Sequence, residues 1–462
     1  MTGRRLSRSA GDGRAAAPVR LVHLGLGNFF RAHQAWYTDR AGDAGEWGYA
    51  ASAGRGSELA RLLERQDGLY TLVVRAADGD ALEVVSSLSL VRSGSDHTGW
   101  LASLASPRVA ALTVTVTEAG YCRGSGGGLD AGRPDVAADI GVLRDDPTAP
   151  VVTPPARIVA GLAARRRADA GPLAIIPCDN VPRNGEVAGR VVAELAALVD
   201  PALAAWITDS VAMVTTVVDR ITPRPGPEGA GAALQAIGYR DEAAVVTEPY
   251  TEWVLSGSFP AGRPRWEDAG AVFADDVTSY EHRKLWMLNG AHSLLAYAGS
   301  LRGHRTVADA VADDSCREWV EEWWTDAVRH LDQPAPVLDG YRAALLGRLA
   351  NPRLRDQLVR IAEDGSQKLP IRVLPVLRAE RHAGRLPTGA TRILAAWICH
   401  LRGAGAPVHD VRASEVLTAA SGPLDRAVPE VLALLDPATG DDPSVVTAVT
   451  AQCRELARTD RR

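Results

Sequence analysis

Three side chains able to do chemistry lie within nine residues of one another: Lys284, Asn289 and His292, in the stretch TSYEHRKLWMLNGAHSLLAYAG from Thr278 to Gly299. At about 100° per residue, a helix places them within roughly 140° of arc. One face would then carry an amine, an amide and an imidazole beside Gly290, whose missing side chain allows close approach. An amine that has lost its proton is a general base. An amide N–H stabilises an oxygen that is becoming negative, and an imidazole orients hydroxyl groups. The competing reading is an ordinary solvated polar face. Residue usage favours the chemistry. Of 51 basic residues only Lys284 and Lys368 are lysine, and lysine, unlike arginine, can be deprotonated near neutral pH. Asparagine is as scarce, confined to Asn28, Asn180, Asn184, Asn289 and Asn351.

The element that must carry the trio reads as one helix. Thr278 and Glu281 form a capping box, Leu285, Leu288 and Leu295 recur at helical spacing, and Gly299 is the expected C-terminal cap. From about Asp275 onward strand patterns fade into Ala/Leu-rich helices. Further along, Arg360 and Lys368 flank an Asp364-Gly365 turn that would fold Lys368 back toward the first site. The mutual repulsion of the two amines would then help keep Lys284 neutral.

Upstream, the pattern is α/β. Val19 to His33 reads as a buried strand, a Gly25-Leu26-Gly27 turn and a helix start, the arrangement that receives a pyrophosphate. Phe30 replaces the third glycine of the dinucleotide fingerprint. The candidate cofactor-binding residues are Gly25, Leu26, Gly27, Asn28, Phe29, Phe30 and Arg31, with Arg55 and Glu118 after later strands. A second strand spans 47–53, and the acid that usually reads the ribose there is replaced by Gly54-Arg55-Gly56. Arg55 either favours a 2′-phosphate or faces solvent. Strands over 69–74, 82–91, 112–117, 173–176 and 211–218 follow, the last three ending near Glu118, Asn180 and Asp219. Ligands bind outside the carboxyl ends of such strands, so Gly25, Glu118, Asn180 and Asp219 are expected on one rim. The fold class is therefore α/β, a Rossmann-type doubly wound N-terminal domain plus a mostly α-helical C-terminal domain. The expected divisions are 1–18 as a disordered tail, 19–274 as the dinucleotide-binding domain and 275–462 as the helical catalytic domain. Loops at 124–135, 145–155 and 223–232 are surface excursions or lids.

Bulk properties exclude several classes. A net charge of −5 gives no reason to expect a nucleic-acid partner, and no apolar run is long enough to span a bilayer. Residues 1–18 lack the apolar core of a secretory signal. The five scattered cysteines show neither zinc nor disulfide spacing, which points to the cytoplasm and to a metal-independent site. Tyr280 and Lys284 also form Y-x-x-x-K, a pair in which tyrosine is the base, but they lie far from the glycine turn.

At this point a resemblance becomes specific. GLGNFFRAHQ (25–34), QDGLYTLV (66–73), TVTEAGYC (115–122), CDNVPRNG (178–185), VVDRITP (217–223), VTEPYTEWV (246–254), YEHRKLWMLNGAHSLLAY (280–297), NPRLRD (351–356) and RIAEDGSQKLPIRVLP (360–375) occur in family order. Together they resemble the long-chain polyol dehydrogenases, the mannitol dehydrogenase and fructuronate reductase family. The resemblance implies Lys284 as catalytic base, Asn180 and Asn289 polarising the reacting oxygen, and His292 positioning substrate. It places Asp219, Arg360 and Lys368 around the substrate. It implies NAD as cofactor, with NADP possible because Arg55 stands where an acid would secure NAD. A second departure is Ala119, where relatives often carry lysine. The expected partner is a small polyol, ketose or hexuronate, the best single pair being D-mannitol and D-fructose, and the expected assembly is a monomer or small homo-oligomer. The rival from another class is a non-catalytic dinucleotide sensor.

Overall fold

The computed structural model describes residues 3–459 other than 55, 125, 224–230, 232–233 and 235–237. The chain divides into two compact units, Met1–Val277 and Thr278–Arg462. The first unit runs to 277 because the chain stays tied to it: Val272 and Phe273 pair with a neighbouring strand, and the Asp275 carbonyl accepts from Ser256 Oγ at 2.7 Å.

In chain order the strands are β1 (Val19–Leu24), β2 (Gly48–Ser52), β3 (Tyr70–Arg75), β4 (Asp80–Val85), β5 (Leu88–Arg92) and β6 (Ala111–Val114). They continue as β7 (Leu173–Pro177), β8 (Val211–Met213), β9 (Thr215–Asp219), β10 (Val245–Thr247), β11 (Glu252–Ser256) and β12 (Val272–Phe273). Six form a sheet in the order β5-β2-β1-β6-β7-β8, and every pair in it is parallel. The chain winds outward from β1 in one direction and from β6 in the other, so the topological switch falls between them. Strands buried on both faces need continuous apolar runs, and VHLG, ALTV and LAII supply them: β6 and β7 are buried throughout. Helices Pro154–Arg167 and Asn184–Val199 are among the crossovers.

Two expected strands are each split in the structure. The run 82–91 breaks at Ser86-Ser87, where Ser87 Oγ donates to Ala35 O at 2.7 Å and Ser86 N donates to Asp39 Oδ1 at 2.8 Å. Its first half pairs antiparallel with β3, while its second is the edge strand of the main sheet. The run 211–218 breaks at Val214, and β9 pairs antiparallel with β11 in a separate three-stranded sheet. Residues 3–18, expected as a disordered tail, are packed instead. Leu6 is fully covered, and Arg8 Nη2 donates to the Ser86 and Leu88 carbonyls on either side of the β4–β5 break. Of the three expected loops, most of 223–232 lies outside the described residues.

The second unit is helical. Helix Thr388–Leu401 is its axis, buried at every position from Gly389 on, and it packs against Asp314–Val328 and Pro443–Thr459. No helix among the described residues is long and apolar enough to cross a membrane.

One buried side chain laces the lower end of the main sheet. Arg165 is fully covered, and its five N–H groups reach six carbonyls: Gly171 from Nε, Leu104 and Ser106 from Nη1, and Val109, Ala170 and Pro172 sharing the two hydrogens of Nη2, at 2.8–3.2 Å. These carbonyls lie in the two loops that enter β6 and β7. Arg165→Met keeps the aliphatic stem and leaves the carbonyls unsatisfied. It should cost about 3 kcal/mol or more in urea unfolding, while the folded protein keeps its dinucleotide affinity, because the loops lie opposite the C-terminal strand ends.

Candidate active site

At the switch point, β1 ends in Gly25 with φ of 109°, a conformation that only glycine adopts without strain. A Cβ there would also fall inside the Thr115 carbonyl oxygen. The turn is fixed by Gly25 N and Leu26 N donating to Ser52 O at 3.0 and 3.1 Å, and by Thr115 Oγ1 donating to Gly25 O at 2.8 Å. A cavity of about 370 Å³ opens here, lined by Leu24, Gly25, Gly54, Thr115, Thr153 and Arg157 among others. A Cβ at Gly54 or Gly56 would meet nothing within 4 Å, so that backbone faces open space. Glycine backbone, a switch-point crevice and open room at the end of β2 fit a dinucleotide.

The other residues of the expected cofactor segment are placed differently. Leu26 is core, and Phe30 is fully buried with its ring stacked on His23 at 3.5 Å. Arg31 is buried too, bonded to the carbonyls of Gly27 and Ala243 and to Asn28 Oδ1, and burial lowers its pKa to about 10. Phe29 stacks on His33. Their side chains hold the first helix against the sheet. Glu118 starts a short 3-10 turn, Glu118–Tyr121, with its side chain exposed. Arg55 lies outside the described residues. The sequence reading missed Arg157. This buried guanidinium donates from Nη1 to Ala53 O and Gly54 O at 3.1 and 3.4 Å, covering the end of β2 where an acid is usual.

Asn180 follows β7 and is exposed, so Gly25, Glu118 and Asn180 follow three adjacent parallel strands as expected. Asp219 is buried at the end of β9, outside the main sheet. What joins them is Asn184, fully buried. Its Nδ2 donates to Thr216 O at 3.1 Å and reaches the Pro177 and Asp179 carbonyls at 3.4 Å, while Thr216 N donates back to its Oδ1 at 2.9 Å. Asn184 thus pins the Asn180 loop to the start of the strand that carries Asp219. Tyr121, also buried, donates its hydroxyl to Asp179. The rarity of asparagine was the available signal for Asn184, and nothing in the pattern marked Tyr121.

In the second unit, Thr278–Arg283 is α-helical, Lys284–Asn289 is π-helical, Gly290–Leu294 is α and Leu295–Gly299 is π again. An i→i+5 turn fits more residues into each turn than an α-helix does, so Lys284 and Asn289 come closer in azimuth than the roughly 140° a regular α-helix would set. Each is 8% exposed, and His292 is half-buried. The close approach permitted by Gly290 is made by protein: a Cβ there would lie 2.5 Å from Trp323 Nε1. Gly299 likewise serves packing, against Ala310, and the left-handed glycine after the helix is Gly303. Helix Gly365–Arg372 packs on this element, with Arg372 Nη1 donating to Ser293 Oγ at 3.2 Å and Ser293 Oγ to Asn289 O at 3.1 Å. Lys368, on the same short helix, donates from Nζ to Ile361 O at 3.2 Å, so both lysines sit on elements packed together. Arg360 is exposed. Tyr280 is partly exposed, with Arg283 over its ring.

His304, Asp313 and Cys316 offer ligand atoms within 4.8 Å of one another. The carboxylate is already committed. Asp313 accepts from Arg302 Nε and Nη2 at 2.7 Å, from His304 at 3.0 Å and from the Ser315 N–H at 2.9 Å, and burial pushes the Cys316 thiol up to about 12. The cluster is a helix cap with a guanidinium clamp.

A doubly wound dinucleotide-binding unit followed by a helical unit with a buried lysine-asparagine turn defines a class of two-domain oxidoreductases. Residues 19–268 match the mannitol dehydrogenase Rossmann domain and residues 276–457 the mannitol dehydrogenase C-terminal domain. The chain is 36% identical to the D-mannonate oxidoreductase of Escherichia coli (strain K12) over 394 residues, 83% of this chain and 80% of that enzyme. It is 33% identical to the mannitol 2-dehydrogenase of Cereibacter sphaeroides over 402 residues, 85% and 83% of the two chains. The solved ternary complex of Pseudomonas fluorescens mannitol 2-dehydrogenase with NAD and D-mannitol is similar at a TM-score of 0.84 and 30% identity, covering 99% of both chains. The protein belongs to the mannitol dehydrogenase family, and with it to the dehydrogenases that act on CH–OH groups.

The turn at Gly25 generates a direct test. Gly25→Ala should weaken dinucleotide binding at least about tenfold, through strain and displacement of the loop, in a fluorescence titration of the folded protein.

Proposed function

We propose that the protein interconverts a sugar alcohol and a ketose with NAD, D-mannitol and D-fructose being the best single pair, and that Lys284 is the general base. The observation that carries this reading is the single π-helical turn that begins at Lys284 and ends at Asn289, both buried. Two further supports are the match along the whole chain to a mannitol 2-dehydrogenase and the NAD and D-mannitol of that protein's complex.

In the oxidative direction, Lys284 takes the proton of the reacting hydroxyl at Nζ. The role asks for an amine withdrawn from water, as Lys284 is. The amides of Asn289 and Asn180 donate to the oxygen as it becomes an alkoxide. His292 orients neighbouring hydroxyls, and Asp219, Arg360 and Lys368 hold the remainder of the substrate. When bound, the nicotinamide supplies the hydride acceptor. Gly25 and the cavity at the switch point would hold the adenosine and pyrophosphate of the NAD. In the reverse direction the protonated lysine returns the proton to the carbonyl oxygen.

The relative named D-mannonate oxidoreductase favours a second reading within the same chemistry: reduction of fructuronate or tagaturonate. Mannitol 1-phosphate oxidation is the third. NADH and NADPH oxidation measured side by side with fructose, fructuronate, tagaturonate and fructose 6-phosphate decides among them. Turnover of fructose at the highest kcat/KM is the expected result, and turnover of none removes the substrate assignment.

Lys284→Ala should lower the rate of hydride transfer by about 10²–10⁴-fold, the usual contribution of a positioned base, with NADH affinity nearly unchanged. Equal loss of cofactor binding would make the role of Lys284 structural.

A further inference from the structure

The turn that carries Lys284 and Asn289 departs from the α-helical ladder, and a backbone so displaced has to find partners for its carbonyls. Two adjacent carbonyls in the middle of the turn have them. Trp286 O accepts from Trp323 Nε1 at 2.7 Å, and Met287 O accepts from Trp324 Nε1 at 2.8 Å. The donors are consecutive residues of helix Asp314–Val328, and both indoles are fully buried. Consecutive helical residues diverge by about 100°, so the pair straddles the line of contact and grips the turn from two sides.

The grip is itself built in. Gly290 and Gly389 leave the room that Trp323 occupies, since a Cβ at either would collide with its ring or its backbone. Asp326, three residues further along the same helix, accepts the backbone N–H groups of Gly389 and Ala390 at 2.9 and 3.4 Å. Helix Asp314–Val328 is thereby fixed to the buried axis Thr388–Leu401, and the two indoles are fixed with it.

We propose that Trp323 and Trp324 are positioning residues for the reaction: their indole N–H groups hold the Trp286 and Met287 carbonyls and so keep the Lys284–Asn289 turn π-helical, which sets the amine and the amide on one side. In a regular α-helix the two would stand roughly 140° apart. The inference rests on the reading of Lys284 as the base.

Trp323→Phe and Trp324→Phe each delete one N–H and keep an aromatic ring. In each, kcat should fall about ten- to a hundred-fold, the loss that a small misplacement of a catalytic group produces. The affinity for NADH should stay near wild type, the primary deuterium isotope effect on kcat should rise, and backbone amides of 284–291 should exchange faster. Trp319→Phe, on the same helix but packed against Arg302 and Arg392, should keep wild-type values. An equal loss in Trp319→Phe would make the effect one of general stability and overturn the proposal. So would wild-type kcat and isotope effect in folded Trp323→Phe and Trp324→Phe alongside an inactive Lys284→Ala. An active Lys284→Ala would instead sink the assignment of the base, and faster exchange over 284–291 would still read the hold on the turn. The bonds are also readable without a mutation. In the unmodified protein the indole N–H protons of Trp323 and Trp324 must be among the slowest to exchange, and fast exchange overturns the proposal.

Discussion

The first unit depends on one close approach. At the switch point of the sheet, the carbonyl oxygen of Thr115 occupies the space that a side chain on residue 25 would need. β1 and β6 can run parallel and adjacent to their last residues only because residue 25 is glycine with positive φ. The crevice beyond them exists because the chain turns away on both sides at that level. The strand order, the cavity and the three loops that follow β1, β6 and β7 are consequences of that geometry.

The interior solves its polar problem in an unusual currency. A chain with almost no lysine would be expected to spread its arginines over the surface, yet Arg31, Arg157, Arg165 and Arg220 are buried and bind backbone carbonyls. A guanidinium has five donors in a fixed fork, so a single side chain can satisfy the ends of several loops that no ladder reaches. Asn184 does the same with an amide, and Trp323 and Trp324 with indoles. Irregular backbone at both ends of the main sheet and in the Lys284 turn is therefore held by side-chain donors.

Much of this was legible in the sequence and some was not, for identifiable reasons. Strand-helix alternation and the glycine turn gave the doubly wound unit, because buried parallel strands require unbroken apolar runs. Both strand splits were hidden, since Ser86-Ser87 and Val214 do not interrupt β propensity; only the tertiary partners of the serines and the divergence of β9 do. The terminal segment looked like a tail because its order comes from Arg8 reaching carbonyls nearly eighty positions away. At the candidate site, residue types and spacing brought out Lys284, Asn289 and His292, and rarity brought out the asparagines. A fixed angle per residue could not show the π turn, whose Trp286 and Met287 carbonyls accept from indoles 37 positions downstream. Phe30 and Arg31 were read as cofactor-facing from their place after the glycines, and the core claims their side chains.

The departure of β9 from the main sheet has a consequence for how such a protein can diversify. Asp219 ends a strand whose register is set by β11, not by β7 or β8. In that small sheet β9 pairs with β11 and β11 with β12, apart from the ladder of the parallel strands that shape the dinucleotide crevice. It is tethered to them by the amide of Asn184 and by Thr216 Oγ1, which donates to Pro177 O at 2.6 Å. A change that lengthens or retilts the small sheet therefore reaches the parallel strands through the side-chain bonds of Asn184 and Thr216.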